Sequence, residues 1–255
     1  MTSSASVRPS ERPSERLSIR RPCLLSWSGG KDAAWALQIL RSDSEFEVVG
    51  LITTLTEGHD RIAMQGIRRT ILHAQADACG LPVIEAWMPQ HASNANEDSY
   101  ATALAEARTR WPHARDIAFG DLYLADIRAY RETLCAQLDW TPQFPIFDPA
   151  PGYTARLART MHDAGLRAAL TCVDTTHVDA SFSGRAFDAA LLADLPSRCD
   201  PCGENGEFHT VVYAGPMFAQ SLALERGEAV LRDERFAYTD FIGVDGAAAV
   251  VASFG

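Results

Sequence analysis

The chain has 255 residues, 47% of them hydrophobic and 22% charged, and a formal net charge of −10. That is an ordinary globular composition, one large domain or two small ones, with enough chain to bury a core without staples. The acidic balance argues against a scaffold that grips nucleic acid through its phosphates, and no run approaches the ~18 apolar residues of a membrane span.

Residues 1–20 are dominated by Ser, Arg, Pro and Glu around the near-repeat Arg8-Pro-Ser-Glu-Arg12-Pro-Ser-Glu-Arg16. Such a segment cannot bury apolar surface, so a disordered arm is expected. The twin arginine Arg20-Arg21 is followed only by Cys23, Leu24 and Leu25 before Ser26, far short of an export signal. The six cysteines are scattered through apolar stretches, which suits buried free thiols in a cytoplasmic protein.

From Pro22 strands and helices alternate. Cys23–Trp27 reads as a strand, 32–40 as a helix, Phe46–Leu55 as a strand rich in Val, Ile and Thr, and 62–79 as a helix stopped by Gly80-Leu81-Pro82. Val83–Met88 is a strand, and 94–110 is a helix with Asn94 and Glu97 spaced as a capping box. A strand over 116–120, a helix over 127–138 and a short strand over 144–147 complete the series. Strands separated by single helices imply an α/β fold with a Rossmann-like parallel five-stranded sheet and right-handed crossovers. The rhythm changes after Asp148-Pro149-Ala150-Pro151-Gly152: a helix over 153–164, a strand over 166–173, a helix near 187–195, then β-like stretches at 207–213, 221–224 and 228–231. The expected organisation is an arm (1–20), a first domain (21–148) and a smaller C-terminal α+β domain (149–255).

The segment Ser28-Gly29-Gly30-Lys31-Asp32-Ala33 follows the first strand and opens the first helix. A glycine pair turns the backbone sharply, and the free amides of the first helical turn then face an anion with the helix dipole behind them. Lys31 adds a compact charge for phosphate. The pattern is neither the Gly-x4-Gly-Lys-Ser/Thr loop nor the dinucleotide glycine fingerprint. A second cluster, Cys202-Gly-Glu-Asn-Gly-Glu-Phe-His209, packs two carboxylates, an amide and an imidazole around two glycines. It reads either as a tight turn or as a substrate loop reaching over the first domain, with His209 a candidate proton shuttle.

Ser26-Trp-Ser-Gly-Gly-Lys-Asp32 resembles the PP-loop of the N-type ATP pyrophosphatases. With Gly120-Asp-Leu-Tyr-Leu-Ala-Asp-Ile-Arg-Ala-Tyr-Arg-Glu132 and Asp200-Pro-Cys-Gly-Glu-Asn-Gly-Glu-Phe-His-Thr210, the chain over roughly residues 22–245 is similar to the diphthine–ammonia ligase family, in a bacterial-looking branch. The resemblance implies an adenine nucleotide alpha hydrolase-like fold. It implies cleavage of ATP to AMP and pyrophosphate, adenylation of a carboxylate and displacement of AMP by ammonia to give an amide. ATP, Mg²⁺, ammonia and an unidentified acyl substrate are then the ligands, with no resident metal site, and a homo-oligomer is the expected assembly. Catalytic roles are expected for Lys31, Asp121, Glu204 and Glu207. The nucleotide is expected on Ser26, Ser28, Gly29, Gly30, Lys31, Asp32 and Ala33, with Ile52 and Thr53 at the adenosine. Substrate contacts are expected from Asp126, Arg128, Arg131, Cys202, Gly203, Asn205 and His209. The family's loop usually carries Ser where this chain has Ala33.

Other features admit other readings. Cys199-Asp-Pro-Cys202, with Cys172, His177 or His209, is half of a zinc or redox motif. A persulfide there would suit a sulfur-transfer enzyme of the wider PP-loop group. Ala33 would suit a non-catalytic nucleotide binder. Arg61, Arg68, Arg69 and His73 are read on one helix, as a solvated face or a face toward the phosphates, and Trp87, Trp111 and Trp140 as core or interface aromatics.

Overall fold

A computed structural model describes residues 20–89 and 95–244. The first strand, β1 (Arg21–Ser26), carries the fully buried run Cys23-Leu24-Leu25, and Lys31–Ser42 forms α1 with Asp32 in its first turn. β2 (Phe46–Thr56) pairs in parallel with β1, and a two-residue β3 (Arg61–Ile62) folds back antiparallel on its end. After α2 (Arg69–Cys79), β4 (Val83–Met88) lies on the other side of β2. α3 (Ala95–Arg110), β5 (Asp116–Ala118), α4 (Ala125–Gln137) and β6 (Thr141–Gln143) complete the layer. The parallel strands run β4-β2-β1-β5-β6, the expected five, with β3 added as an antiparallel sixth.

The second sheet is antiparallel. α5 (Tyr153–Asp163) leads into β7 (Arg167–Asp174), and a short α6 (Ala189–Asp194) precedes β8 (Phe208–Ala214), β9 (Leu224–Arg232) and β10 (Phe236–Gly243). Their order is β8-β7-β10-β9.

Four elements differ from the sequence reading. The helix expected over 62–79 begins only at Arg69, because Met64 and Gly66 have positive φ and break the helix path. The last parallel strand is Thr141–Gln143 rather than 144–147; it is an edge strand, where Pro142 costs little pairing. The stretches at 221–224 and 228–231 are replaced by one strand, β9, whose register against β10 shifts between Thr239 and Phe241. β10 itself was not expected, although Ala237, Thr239 and Phe241 are buried in alternation. The expected arm, but for Arg20, and the capping position Asn94 lie outside the described residues.

Alternation along the strands divides the core. Leu24 and Ile52 face Tyr100, Leu104 and Phe119 on one side of the parallel sheet. Leu25 and Leu51 face the other side, in a buried cluster that also contains Leu170, Phe208 and Val211 of the second sheet. The two sheets therefore share one core.

Gln75 on α2 is a buried polar member of that seam. Its amide nitrogen donates to the carbonyls of Gly29 (3.0 Å) and Val212 (2.7 Å), and its oxygen accepts from the Trp27 indole (3.0 Å). Truncation to alanine strands two buried groups, the Trp27 indole and the Val212 carbonyl, each worth ~1–3 kcal/mol when unpaired, and takes one of two hydrogen bonds from the Gly29 carbonyl. Gln75→Ala is expected to cost about 3 kcal/mol or more, a fall in melting temperature of roughly 6 °C or more in a thermal unfolding scan. An unchanged melting temperature would show that the seam is held by other contacts.

Candidate active site

The carboxyl ends of β1 and β5 open into a cleft of about 300 Å³. The loop between β1 and α1 forms one wall. The segment after β5 with Arg131 of α4 forms a second, the loop leading into β8 a third, and Met64 and Gln65 form the rim. Of the residues singled out in the sequence, Ser26, Ser28, Gly30, Lys31, Asp32, Ala33, Asp121, Arg131, Cys202, Gly203, Glu204 and His209 line it.

The loop is shaped from behind. Gly29 has φ 76°, and a Cβ there would lie 2.8 Å from the Ile67 side chain, so only glycine fits. Its carbonyl accepts from the Val212 amide (2.9 Å) as well as from Gln75. The Lys31 amide donates to Thr210 Oγ1 (3.1 Å). Across the cleft, Gly120 abuts the first turn of α1: a Cβ there would lie 2.9 Å from the Ala33 amide nitrogen.

Lys31 does not point into open solvent for a phosphate. Its ammonium, 2% exposed as a residue, donates to the carbonyl of Cys202 and to Asp32 Oδ2 (2.9 Å). It also sits 5.5 and 5.4 Å from the ring centroids of Phe187 and Phe208. Burial is the largest single influence and works against its charge, but Asp32, Cys202 and Glu204 together outweigh it and the net shift is upward, so the ammonium is kept. It joins the phosphate-loop candidate to the loop from Cys199 to His209.

That second loop is built on its own carboxylates. Asp200 accepts from the Cys202 amide (2.8 Å) and from Thr154 Oγ1 (2.7 Å). Glu207, expected to act on substrate, is buried and turned into its own loop, accepting from the Asp200 amide (2.8 Å), the Asn205 amide (2.9 Å) and the Asn205 side chain (3.1 Å). Glu204 faces the cleft instead and accepts from the Leu122 amide (2.9 Å). Burial pushes its carboxyl up to about 7, with Asp32 and Asp121 adding repulsion. Asn205 lies outside the cleft lining and accepts from the Tyr123 hydroxyl (2.9 Å).

His209 cannot shuttle protons near neutral pH as expected. Burial, reinforced by Lys31, holds its imidazole down at about 4, so it is neutral. Asp126 is exposed, and Arg128 pairs with Glu132 (2.9 Å) over Phe144 and Phe147; neither reaches the cleft. Ile52 and Thr53 lie in the buried body of β2, which runs on to Thr56, so the rim falls at Met64 and Gln65 instead. Arg61 and Arg68 are drawn to Asp240 of β10, and Arg69 and His73 to Glu85.

Among the described residues no group of three or more His, Cys, Asp or Glu side chains is placed to hold a metal. The Cys199 and Cys172 thiols are pushed up by burial to about 12 and about 11, and Cys202 is pushed up further. They stay protonated and weakly nucleophilic. Two cleft carboxylates do have buried oxygens without a hydrogen-bond partner, Asp32 Oδ1 and Asp121 Oδ2. They suit the Mg²⁺ of a nucleotide, which takes one or two protein carboxylates beside phosphate and water.

Residues 22–141 match the diphthamide synthase N-terminal domain, and residues 153–240 match the diphthamide synthase C-terminal domain. The chain belongs to the diphthamide synthase family. No curated protein matches it. Membership of the diphthine–ammonia ligase family identifies the loop from Ser26 to Ala33 as the PP-loop of an ATP-using enzyme fold, and the two matches meet across the cleft. No helix among the described residues is long and apolar enough to cross a membrane.

Lys31 gives a direct test. Lys31→Met keeps the stem but leaves the Cys202 carbonyl and Asp32 unpaired, and breaking a buried charged pair costs ~3–5 kcal/mol. The expected result is a fall in melting temperature of roughly 6 °C or more, with faster amide exchange over 199–210. Wild-type stability and protection would show that the ammonium does not hold the second loop.

Proposed function

We propose that the protein is an ATP-dependent ligase that cleaves ATP to AMP and pyrophosphate, adenylates a carboxylate and forms an amide with ammonia. The carrying observation is Glu204: a carboxyl near neutral pKa, fixed by the Leu122 amide, faces the PP-loop across one cleft. In the first step a substrate carboxylate oxygen attacks the α-phosphorus, and the α–β bridging bond breaks with its electron pair leaving on pyrophosphate. The amides of the first turn of α1 beyond Lys31, whose own amide is held by Thr210, receive that pyrophosphate. In the second step ammonia attacks the acyl carbon, AMP departs with the electron pair of its bond, and the nitrogen loses one proton. Glu204, ionised above about pH 7, takes that proton. Bound Mg²⁺ would neutralise phosphate charge beside Asp32 and Asp121. The loop from Cys199 to His209, tied down through Lys31, keeps water from the adenylate.

Diphthine, the carboxylate named by the family, is one substrate of the required class. A sulfur-transfer role is not favoured, because the thiols at Cys172, Cys199 and Cys202 are buried and protonated. The deciding assay measures AMP against ADP released from ATP, with and without ammonium, over a panel of carboxylates. AMP released in step with amide supports the ligase. ADP release, or nucleotide binding with no turnover on any carboxylate, would remove it and leave a nucleotide-binding role.

Glu204 also makes a pH prediction. Its folded pKa lies above the ordinary carboxylate value, so ionisation weakens the fold: stability is lost as pH rises from about 4.5 to about 7 and then levels off. Glu204→Gln removes that charge and keeps the acceptor for Leu122. The variant is expected to gain melting temperature over wild type at pH 8 but not at pH 4. In wild type, amide formation is expected to rise with pH through a midpoint near 7, and in the variant to fall by ~100-fold and lose that limb. A pH-independent difference in melting temperature would contradict the assigned ionisation.

A further inference from the structure

Among the described residues seven buried side-chain polar atoms have no hydrogen-bond partner, and four of them gather at the cleft: Asp32 Oδ1, Asp121 Oδ2 and Arg131 Nε belong to residues that line it, and Tyr100 Oη lies behind that lining. Two are acceptors and two are donors. The acceptors suit a cation. The donors have no such account in the residues around them.

Tyr100 lies on the core face of α3, in register with Ala103, Leu104 and Ala107, all buried. It is only 6% exposed and stands behind the cleft lining, with its hydroxyl close to Ser26 and near Arg131 and Asp121, which all line the cleft; the approach to Ser26 is the nearest of these and falls short of hydrogen-bond geometry. A buried tyrosine hydroxyl ordinarily finds a partner, and phenylalanine would fill the same space without stranding an oxygen. Arg131 is braced against the Phe119 ring at 4.8 Å, and its Nε lies 3.6 Å from Asp121, an ion pair too long to be a hydrogen bond. Burial holds the phenol up at about 12, so the oxygen keeps its proton and can donate. Two unspent donors side by side, one cationic and one neutral, are matched to an oxyanion.

We infer that Tyr100 and Arg131 together receive the α-phosphate of the nucleotide, beside the start of the PP-loop where the two walls meet. The inference rests on the ATP-pyrophosphatase reading in one respect: the loop amides are taken by the β and γ phosphates, which leaves the α-phosphate for the second wall. Ser26 and Gly120 bring the two walls together, since Ser26 ends β1 just before the loop and Gly120 touches the first turn of α1. Tyr100 is a positioning and binding residue on this account. Holding the α-phosphate on its far side would fix the phosphorus in line between the acyl oxygen and the departing pyrophosphate.

The test is Tyr100→Phe in the full chain, with melting temperature and calorimetric titration of AMP, pyrophosphate and adenosine, Mg²⁺ present. Removing an unpaired buried hydroxyl is expected to leave the melting temperature unchanged or raise it. AMP affinity is expected to fall about tenfold, the loss of one hydrogen bond to a charged group, while pyrophosphate and adenosine stay within about twofold of wild type. Arg131→Gln is expected to weaken AMP similarly, and the double variant to lose less than the product of the two. A clear fall in melting temperature in Tyr100→Phe would show that the hydroxyl has a structural partner and overturn the inference. So would unchanged AMP affinity, or a loss confined to pyrophosphate. Wild-type protein that binds none of these probes would remove the nucleotide reading itself, whereas wild-type binding with an indifferent Tyr100→Phe removes only the role of Tyr100.

Discussion

The carbonyl of Gly29 accepts two hydrogen bonds, from the Val212 amide of one sheet and from the Gln75 side chain packed on the other. The path of the phosphate loop depends on them. A Gly-Gly turn has many conformations open to it, and that freedom is lost only if something outside the turn selects one. Here the selection comes from a buried amide that also holds the Trp27 indole and the Val212 carbonyl. The anion-binding geometry at the start of α1 is therefore set jointly by α2 and β8, distant in sequence from it and from each other.

The same joint construction explains the electrostatics. Asp32, Asp121 and Glu204 share one small cleft, where burial raises the cost of ionising each and neighbouring carboxylates add to it. Lys31 relieves part of it by pairing with Asp32, but spends its other contact on the Cys202 carbonyl. The site thus sets Lys31 and Arg131 against Asp32, Asp121 and Glu204, with one carboxyl poised near neutrality. Glu207, three residues from Glu204, is turned away from the cleft, its oxygens accepting hydrogen bonds within the loop.

Much of this was legible in the chain. The parallel strands show as apolar, β-branched runs because both faces of the sheet are covered. The phosphate loop is a local motif, and its strand–turn–helix context is local too. What was not legible depends on contacts between distant segments. Nothing near residue 204 tells which of two glutamates faces the cleft. Lys31 reads locally as a phosphate ligand, yet its side chain turns toward Phe187 and Phe208, which the second sheet supplies. Met64 and Gln65 looked like helix because their positive-φ turn is stabilised by tertiary contacts: Ile62 and Ile67 pair within it, and Gly66 packs on Tyr238. Tyr100 carries the spacing of a core residue, and only its lack of a partner marks it out.

The shared core also limits how the cleft can work. A hinge between the sheets would separate Leu25 and Leu51 from Leu170 and Val211 and expose apolar surface that the fold has buried. It would also pull the Lys31 and Gln75 contacts apart. The rim at Met64 is fastened as well, through Arg61 and Arg68 to Asp240 of the second sheet. Rigid-body opening is thus opposed on three sides. Met64 itself is 74% exposed, with its backbone in the left-handed region, and no bond to the second sheet holds its side chain. Adjustment to a ligand must then come from side chains at the mouth rather than from movement of whole domains. A preformed cleft of this kind, with the loop from Cys199 to His209 already tied to the start of α1, would suit the proposed reaction, whose adenylate must be kept from water.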